Sequence, residues 1–510
     1  MLKPIVTEEL ITFKELEEKV FQFSMEIGRM ILQKTLETQA EIIDQARDKS
    51  IYRNKGNRKT VIKTKLGEVE YERPLYLQSK EKQKETGKKS VYLLDQVLEI
   101  NRFGKISENL VDVMITNINE LSYRKTAENI STLTGQVISG MAVWNVIQNV
   151  GEGIRTIEHE KILLHENDKL IAGTKEIEIL FQESDGVYFT LQGKDRKKKI
   201  EEYKKRNPEA TEIPKSVRKK ELKVATTYEG WKKIGKNRHE VIGKEFFCGY
   251  TSAEEIANIK SARLYEKYNM ANIKIKLLNS DGATWIRETG LSSSIYQLDC
   301  YHIKSKIRRH VLEQEDQEQL IKMFWEKKYD EMIFFAEELK YKYGGEVKEV
   351  ERLQELQNYL LNNKDGLKRY YHDKKIKNRL LVLSEKTGLK YRHMGVQESQ
   401  NYCVLTRRMK RRRMSFSIRG SENLAKVLCA YHSESYVSIG TVIHAKALPT
   451  ELFENAEKYM QEIEDNIARV KELNIKPKAV YVGNQASIFG NYPHIRNILK
   501  NKAITDLTYI

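Results

Sequence analysis

Ile177-Glu178-Ile179-Leu180-Phe181-Gln182-Glu183-Ser184-Asp185-Gly186-Val187-Tyr188-Phe189-Thr190-Leu191 is the stretch on which the fold turns. Ile177–Phe181 alternates like a half-buried β-strand, and Val187–Leu191 is a second block of β-formers behind Ser-Asp-Gly. The same tripeptide recurs at Ser280-Asp281-Gly282, after the apolar run Ile273–Leu278. Asp-Gly after a strand is an ordinary turn signal. Two carboxylates leaving the ends of neighbouring strands can also converge. In a basic chain, converging carboxylates point to divalent metal ions acting on a phosphodiester.

The chain is basic. Lys and Arg number 89 against 72 Asp and Glu over 510 residues, a formal charge of +17. Such an excess attracts a polyanion, and the length leaves room for several domains and a large core. A membrane is the weaker partner. Mean hydropathy is −0.61, no apolar run is long enough to span a bilayer, and the first ten residues turn polar too soon for an export signal. Cys248, Cys300, Cys403 and Cys429 are scattered without a Cys-x-x-Cys pair. That spacing argues against a disulfide framework or structural zinc and for a reducing cytosol.

Upstream of the opening stretch, Leu16, Val20, Phe23, Ile27 and Ile31 give one apolar stripe to a helix over residues 8 to about 50, suited to core packing or an oligomer interface. Thr60–Lys65 and Glu68–Arg73 read as a hairpin turning at Leu66-Gly67 and stopped by Pro74, with a polar loop over 79–90. From Tyr92 to about Gly151 the chain reads helical. Short helices at Tyr123–Ile130 and Met141–Ile147 flank a Gly-bearing turn, with Ser139 as the second N-cap. This resembles a helix-turn-helix, with Arg124, Lys125 and Trp144 as candidate DNA contacts and plain helical packing as the alternative.

Residues 171–310 alternate strand and helix, the pattern of an α/β domain. Val187–Leu191 reads as a second strand and Lys223–Tyr228 as a third. Between them lies a charged insert, Lys194 to Glu221, either a solvated loop or a track for a phosphate backbone. Ser252 to Asn269 reads as a helix. After His310, long helices follow to about Gly388, one ending at Gly344-Gly345 and another running from Glu346 to Asn362; this block looks inserted. A last amphipathic helix carries Phe453, Ala456, Met460, Ile463, Ile467 and Val470.

A site for two ions wants a third acid. Glu398 follows Gly395 and opens a helix bearing Arg407, Arg408, Lys410, Arg411, Arg412 and Arg413, a density of charge suited to gripping phosphates. The alternative is a first-turn glutamate favoured by the helix dipole. Trp231 and Trp285 lie near these acids in sequence and read as buried core, with stacking on an unpaired base as the other use.

Several segments combine into a wider pattern. They are Lys65-Leu66-Gly67-Glu68-Val69, Tyr92-Leu93-Leu94-Asp95, Leu121-Ser122-Tyr123-Arg124, Glu183-Ser184-Asp185-Gly186-Val187, Tyr228-Glu229-Gly230-Trp231, Asp281-Gly282-Ala283, Leu298-Asp299-Cys300-Tyr301-His302 and Gln397-Glu398-Ser399. In this order they resemble transposases of the bacterial ISLre insertion-sequence family, distant relatives of the Mutator-type DDE transposases. The resemblance implies an α/β RNase H-like catalytic core, interrupted by an all-helical insertion and preceded by a helical and β-hairpin DNA-binding region.

On this reading residues 1–50 form an N-terminal helix, 51–91 a hairpin segment and 92–170 the helix-turn-helix-like region. Residues 171–310 begin the core, 311–395 are the insertion, 396–433 complete the core, and 434–510 match nothing recognisable. The resemblance assigns Asp185, Asp281 and Glu398 to catalysis and to holding two Mg²⁺ or Mn²⁺ ions. It gives Asp299 and His302 an auxiliary role, with His302 near the scissile phosphate; Asp299 as an N-cap and His302 as a surface residue is the alternative. Arg407, Arg408, Arg411 and Arg412 join the DNA contacts. The implied activity is binding, cutting and rejoining the ends of an insertion sequence, with double-stranded element and target DNA as partners. A homodimer or larger oligomer on DNA is expected, in the bacterial cytoplasm at the nucleoid. A non-catalytic DNA-binding protein and an RNase H-like nuclease or resolvase are the competing readings.

Overall fold

The structure is a computed structural model describing residues 11–100, 102–344, 347–411 and 414–435. Helix α1 (Phe13–Ala46) starts at a capping box in which Thr12 and Glu15 exchange hydrogen bonds. Only its C-terminal part is packed. Leu36, Ala40 and Ile43 bury against Ile62, Val69, Tyr71 and Tyr76 of the hairpin β1 (Tyr52–Thr64) and β2 (Gly67–Gln78), whereas Leu16, Val20, Ile27 and Ile31 stay exposed.

Two expectations for this region fail. Pro74 does not stop the hairpin: it pairs opposite Asn57, beside the register shift between Asn54 and Asn57, the kind of irregularity at which strands admit proline. The polar loop over 79–90 contains helix α2 (Lys80–Thr86), capped by Ser79 and ended by Gly87 in the left-handed region.

Short elements β3 (Ser90–Val91), α3 (Leu93–Val97), β4 (Arg102–Phe103) and β5 (Ile106–Ser107) lead into α4 (Glu108–Ile118), α5 (Tyr123–Thr134) and α6 (Gly140–Glu166). Ser139 caps α6 as expected, through the N–H of Ala142. The second helix of the pair is not short, however. It spans 27 residues, because Val143, Val146, Ile147, Val150 and Ile154 keep an apolar face in the core along most of its length.

The central sheet opens with β6 (Ile179–Thr190) and β7 (Lys219–Tyr228). Between β6 and β7 runs α7 (Gly193–Arg206), so the charged insert is helical for half its length. A side hairpin, β8 (Gly230–Lys233) with β9 (His239–Ile242), precedes β10 (Glu245–Gly249) and α8 (Ala253–Lys267). Then come β11 (Ile275–Ser280), α9 (Thr284–Glu288), β12 (Ile295–Leu298) and α10 (Cys300–His310). The spatial order is β10-β7-β6-β11-β12. The pairs β10–β7 and β7–β6 are antiparallel, and β6–β11 and β11–β12 are parallel.

Val187–Leu191 is not a second strand. Ser184, Asp185 and Gly186 pair with Ala225, Val224 and Lys223, so β6 passes through the first Ser-Asp-Gly without turning. A Cβ at Gly186 would lie 1.9 Å from Glu221 Oε1 on β7, so a larger residue there would push that side chain aside. Phe181, Glu183, Asp185, Val187 and Phe189 therefore share one strand face. Phe181 packs with Tyr228 and Trp231, while Val187 and Phe189 join the core beneath α6 and a later helix. Burying each such side chain contributes about 1.5–3 kcal/mol. Two acids interrupt this apolar face in the middle.

The expected insertion is helical: α11 (Gln314–Trp325), α12 (Tyr329–Lys342), α13 (Val347–Asn362) and α14 (Lys374–Thr387). Leu320, Phe324, Met332, Ala336, Leu353 and Leu356 form its own core, joined to Ile303 and Ile307 of α10. Gly345, one of the two glycines expected to end α12, lies outside the described residues. The chain then returns to the sheet as α15 (Val396–Gln400), a π-helical turn over Asn401–Thr406 and α16 (Arg407–Met409). Helix α17 (Ile418–His432) closes the core against α6 and β10. The amphipathic helix expected around Phe453 falls outside the described residues. Among those residues no helix is long and apolar enough to cross a membrane.

Candidate active site

The parallel pairing of β11 with β6 sets Asn279 opposite Glu183. Two residues further along each chain, Asp281 leaves β11 level with Asp185, on strands about 4.8 Å apart. The second Ser-Asp-Gly is a turn. The Asp281 carboxylate accepts the N–H of Ala283 at 2.8 Å, the Ser280 hydroxyl accepts that of Gly282, and Gly282 sits at φ 101°. Tyr359, from the helical insertion, donates its hydroxyl to the Asp281 carbonyl at 2.8 Å. The two copies of one tripeptide thus do different work: one runs on as strand and the other bends.

Next to β11, β12 delivers Asp299 at its end. Asp299 caps α10, accepting the N–H groups of Tyr301 at 3.0 Å and His302 at 3.2 Å. The same carboxylate oxygen lies 3.0 Å from His302 Nδ1. The N-cap reading of Asp299 therefore holds, and the pair also faces the cavity.

Asp185, Asp281, Asp299, His302 and Glu398 line one open cavity of about 600 Å³. Lys304, Arg308 and Arg309 of α10 line it too, giving an acidic floor a basic side. Burial pushes Asp185 up to about 6, and the like charges of Asp281 and Glu398 add to that rise. The N–H of Gly186, at 2.7 Å, and His302 oppose it. Burial alone would depress His302, but the carboxylates of Asp299, Asp281 and Asp185 hold it above its ordinary value. Burial would likewise raise Asp299; His302 and Asn279 outweigh it and keep that carboxyl low.

Among the described residues, no three or more His, Cys, Asp or Glu side chains are gathered tightly enough to hold a metal ion. The donor chemistry fits one nonetheless. Asp185, Asp281 and Glu398 are hard oxygen donors on one cavity, the kind Mg²⁺ and Mn²⁺ prefer, and the charges of the other two raise the proton affinity of Asp185.

The remaining candidates lie elsewhere. Arg124 and Lys125 are exposed on α5 and pair with Glu128 at 2.9 and 2.6 Å; Trp144 is partly exposed on α6. None of them lines the cavity. The basic segment after Glu398 is not a uniformly solvated face. Arg408 is buried, with Nε donating to the Ile118 carbonyl at 2.7 Å, and Arg407 pairs with Glu120. A buried guanidinium anchored to α4 cannot also grip phosphate. Arg411 is exposed and donates to the Tyr402 hydroxyl at 2.7 Å, and Arg412 lies outside the described residues. Trp231 is core, as expected, while Trp285 is half-buried with Lys223 over its ring.

Three features went unread in the sequence. Glu183 is fully buried two residues before Asp185, accepts five hydrogen bonds and is still pushed up by burial. Asn401 donates to Asp185 Oδ2 at 2.7 Å. Lys304, Arg308 and Arg309 form a basic stripe at helical spacing on α10. The period of two linking Glu183 to Asp185, and of four linking Lys304 to Arg308, were the available signals.

Residues 6–213 and 209–441 match the uncharacterised protein family UPF0236. Similar proteins come from Caldanaerobacter subterraneus subsp. tengcongensis. A UPF0236 protein whose name joins eleven locus designations is 26% identical over 392 residues, covering 73% of this chain and 69% of the relative. A second, whose name joins four, is 26% identical over 393 residues with the same coverage. A third with a single locus name is 26% identical over 393 residues, 73% of this chain and 70% of its own.

Proposed function

The chain belongs to the uncharacterised protein family UPF0236, and from its site we propose a DDE-type DNA transposase that cuts and rejoins the ends of its own element. One observation carries this reading: Asp185, Asp281 and Glu398, from three distant parts of the sequence, line one cavity beside Lys304, Arg308 and Arg309. The sheet order supports an RNase H-like core. Three antiparallel strands are followed by two strands parallel to the first, added on its far side. The eleven locus designations joined in one relative's name fit a sequence carried in many copies, as a self-transferring element is.

Asp185, Asp281 and Glu398 would hold Mg²⁺ or Mn²⁺, which supply charge stabilisation to the attacking and leaving oxygens of a phosphodiester. The protein's own groups do the rest. Asp185 is held by Gly186 N–H and Asn401, and the Asx turn holds Asp281, so both acids are fixed before substrate arrives. His302, whose proton affinity Asp299 raises, faces the same cavity and can bind a phosphate oxygen or, when protonated, hand a proton to a departing 3′-oxygen. Lys304 and, about one turn further on, Arg308 and Arg309 of the same helix can track a backbone across the opening. No nucleophilic side chain is required, because water or a DNA 3′-hydroxyl attacks.

The test is cleavage and strand transfer on double-stranded DNA carrying the element's ends. The wild type should act with Mg²⁺ or Mn²⁺, and D185N, D281N and E398Q should bind the DNA and cut nothing. Salt-sensitive binding without metal-dependent cutting would overturn the proposal in favour of a DNA-binding protein. Preferred cutting of branched DNA would point to a resolvase.

A further inference from the structure

We infer that Glu183 is the positioning residue for the third carboxylate, fixing Glu398 relative to Asp185 by clamping the chain segment just before it. The inference rests on the transposase reading for its meaning and on hydrogen-bond geometry for its substance. Glu183 Oε1 accepts the N–H of Gly395 at 3.1 Å and of Val396 at 3.0 Å, and Oε2 accepts that of Gln397 at 3.2 Å. Tyr228 donates its hydroxyl to Oε1, and Asn279 Nδ2 approaches Oε2 at 3.2 Å. Three consecutive backbone donors therefore end on one side chain, and the next residue is Glu398.

A buried carboxylate is costly unless its lone pairs are filled, and these five donors fill them. That saturation also removes Glu183 from the list of metal ligands, although it lines the cavity. Its place on β6 gives the clamp its reach. Glu183 and Asp185 project from the same strand face one pleat apart, so a single rigid strand presents the first acid and holds the loop bearing the third. The grip is doubled further on: Asn401, itself bonded by Gln397 Nε2 at 2.7 Å, donates to Asp185. Glu183 is also linked to Asp299. Asn279, which bonds it, lies 3.3 Å from Asp299 Oδ1.

The test compares E183Q with wild type. Glutamine keeps the shape but turns an amide N–H₂ toward backbone donors. Losing these carboxylate acceptors should speed hydrogen exchange at the amides of 395–397 by about tenfold or more. The Mn²⁺ concentration for half-maximal cleavage should rise by a similar factor, about tenfold, with DNA affinity unchanged. E183D, shorter by one methylene but still a carboxyl with two acceptor oxygens, should recover part of both effects. If E183Q does not fold, E183D carries the test alone, with smaller shifts of the same sign. Mn²⁺ binding by calorimetry decides whether the effect runs through Glu398: in an E398A background, E183Q should cost no further affinity. Unchanged exchange at 395–397, or full additivity with E398A, would overturn the inference. Wild-type protein that neither binds Mn²⁺ nor cuts DNA would sink the transposase reading instead, while the exchange experiment still reports on the clamp.

Discussion

D185N should stabilise the protein at neutral pH while abolishing the metal-dependent cleavage proposed for it. Asp185 titrates near 6 when folded, against about 3.9 for an unperturbed aspartate. Two units of difference correspond to about 3 kcal/mol held against the native state once the carboxylate is charged. Asparagine removes that charge. Its carbonyl still accepts the Gly186 N–H, but its amide now faces the Asn401 amide, which costs about 1 kcal/mol. The net expected gain is about 1–2 kcal/mol at neutral pH. The sign follows from the direction of the shift. A folded value above the unfolded one means wild-type stability is fully present below about pH 4 and is lost as pH rises through about 6. The advantage of D185N should therefore vanish by about pH 4 and reverse below it. Urea unfolding with a chelator present, at both pH values, measures this. Adding Mn²⁺ at about a hundred times its dissociation constant should stabilise only the wild type, by about 2.7 kcal/mol, and invert the order. A mutant less stable than wild type at neutral pH in chelator would refute the claim that Asp185 is buried among like charges.

Other expectations follow from the same geometry. Gly282→Ala meets both a positive φ and the Tyr359 ring at 2.6 Å, so it should lower stability by about 2–3 kcal/mol and reduce metal-dependent cutting; thermal unfolding and cleavage assays read both. Arg408→Ala should cost about 2–4 kcal/mol by leaving the Ile118 carbonyl unpaired and a cavity behind. Arg411→Ala should change stability by less than about 0.5 kcal/mol and lower the salt dependence of DNA binding by about one ion. Asp299→Asn should bring the His302 titration, followed by NMR, down toward or below its ordinary value, because the closest of its negative partners is gone. An unmoved His302 would mean that the imidazole is not held by that carboxylate.

The acids were legible because each lies where a strand or helix signal changes, and charge at such breaks is visible in sequence. Their roles within the strands were not. Ser-Asp-Gly is a strong turn signal by composition, and it turns at Asp281. At Asp185 the pairing of β6 with ten residues of β7 overrides it. Glu183 was invisible for a related reason. It sits in an alternating strand where an acid reads as solvent-facing, and only Gly395, Val396 and Gln397, more than two hundred positions away, give it a use. Arg408 failed in the opposite direction, since an arginine in a basic run reads as exposed until a carbonyl from α4 is placed beside it. Local pattern specifies the element, while burial partners come from elsewhere in the chain.

The helical insertion raises a mechanical question, because it separates the second acid from the third. An interruption of this length would leave Glu398 free to drift if the insertion hung from the core by its ends. It does not hang. Tyr359 of α13 bonds the Asp281 carbonyl, Arg369 bonds the Leu298 carbonyl at the end of β12, and Tyr370 bonds the Arg392 carbonyl on the return path. Asn363 joins the set, accepting from Arg287 and Tyr296. The insertion thus holds the ends of β11 and β12 from outside, while Glu183 holds the returning chain from inside. Repelling carboxylates in a half-buried cavity tend to separate, and a cation site can form there only if the backbone resists. Here the resistance comes from both sides of the sheet edge, so removing either support should loosen the same three acids.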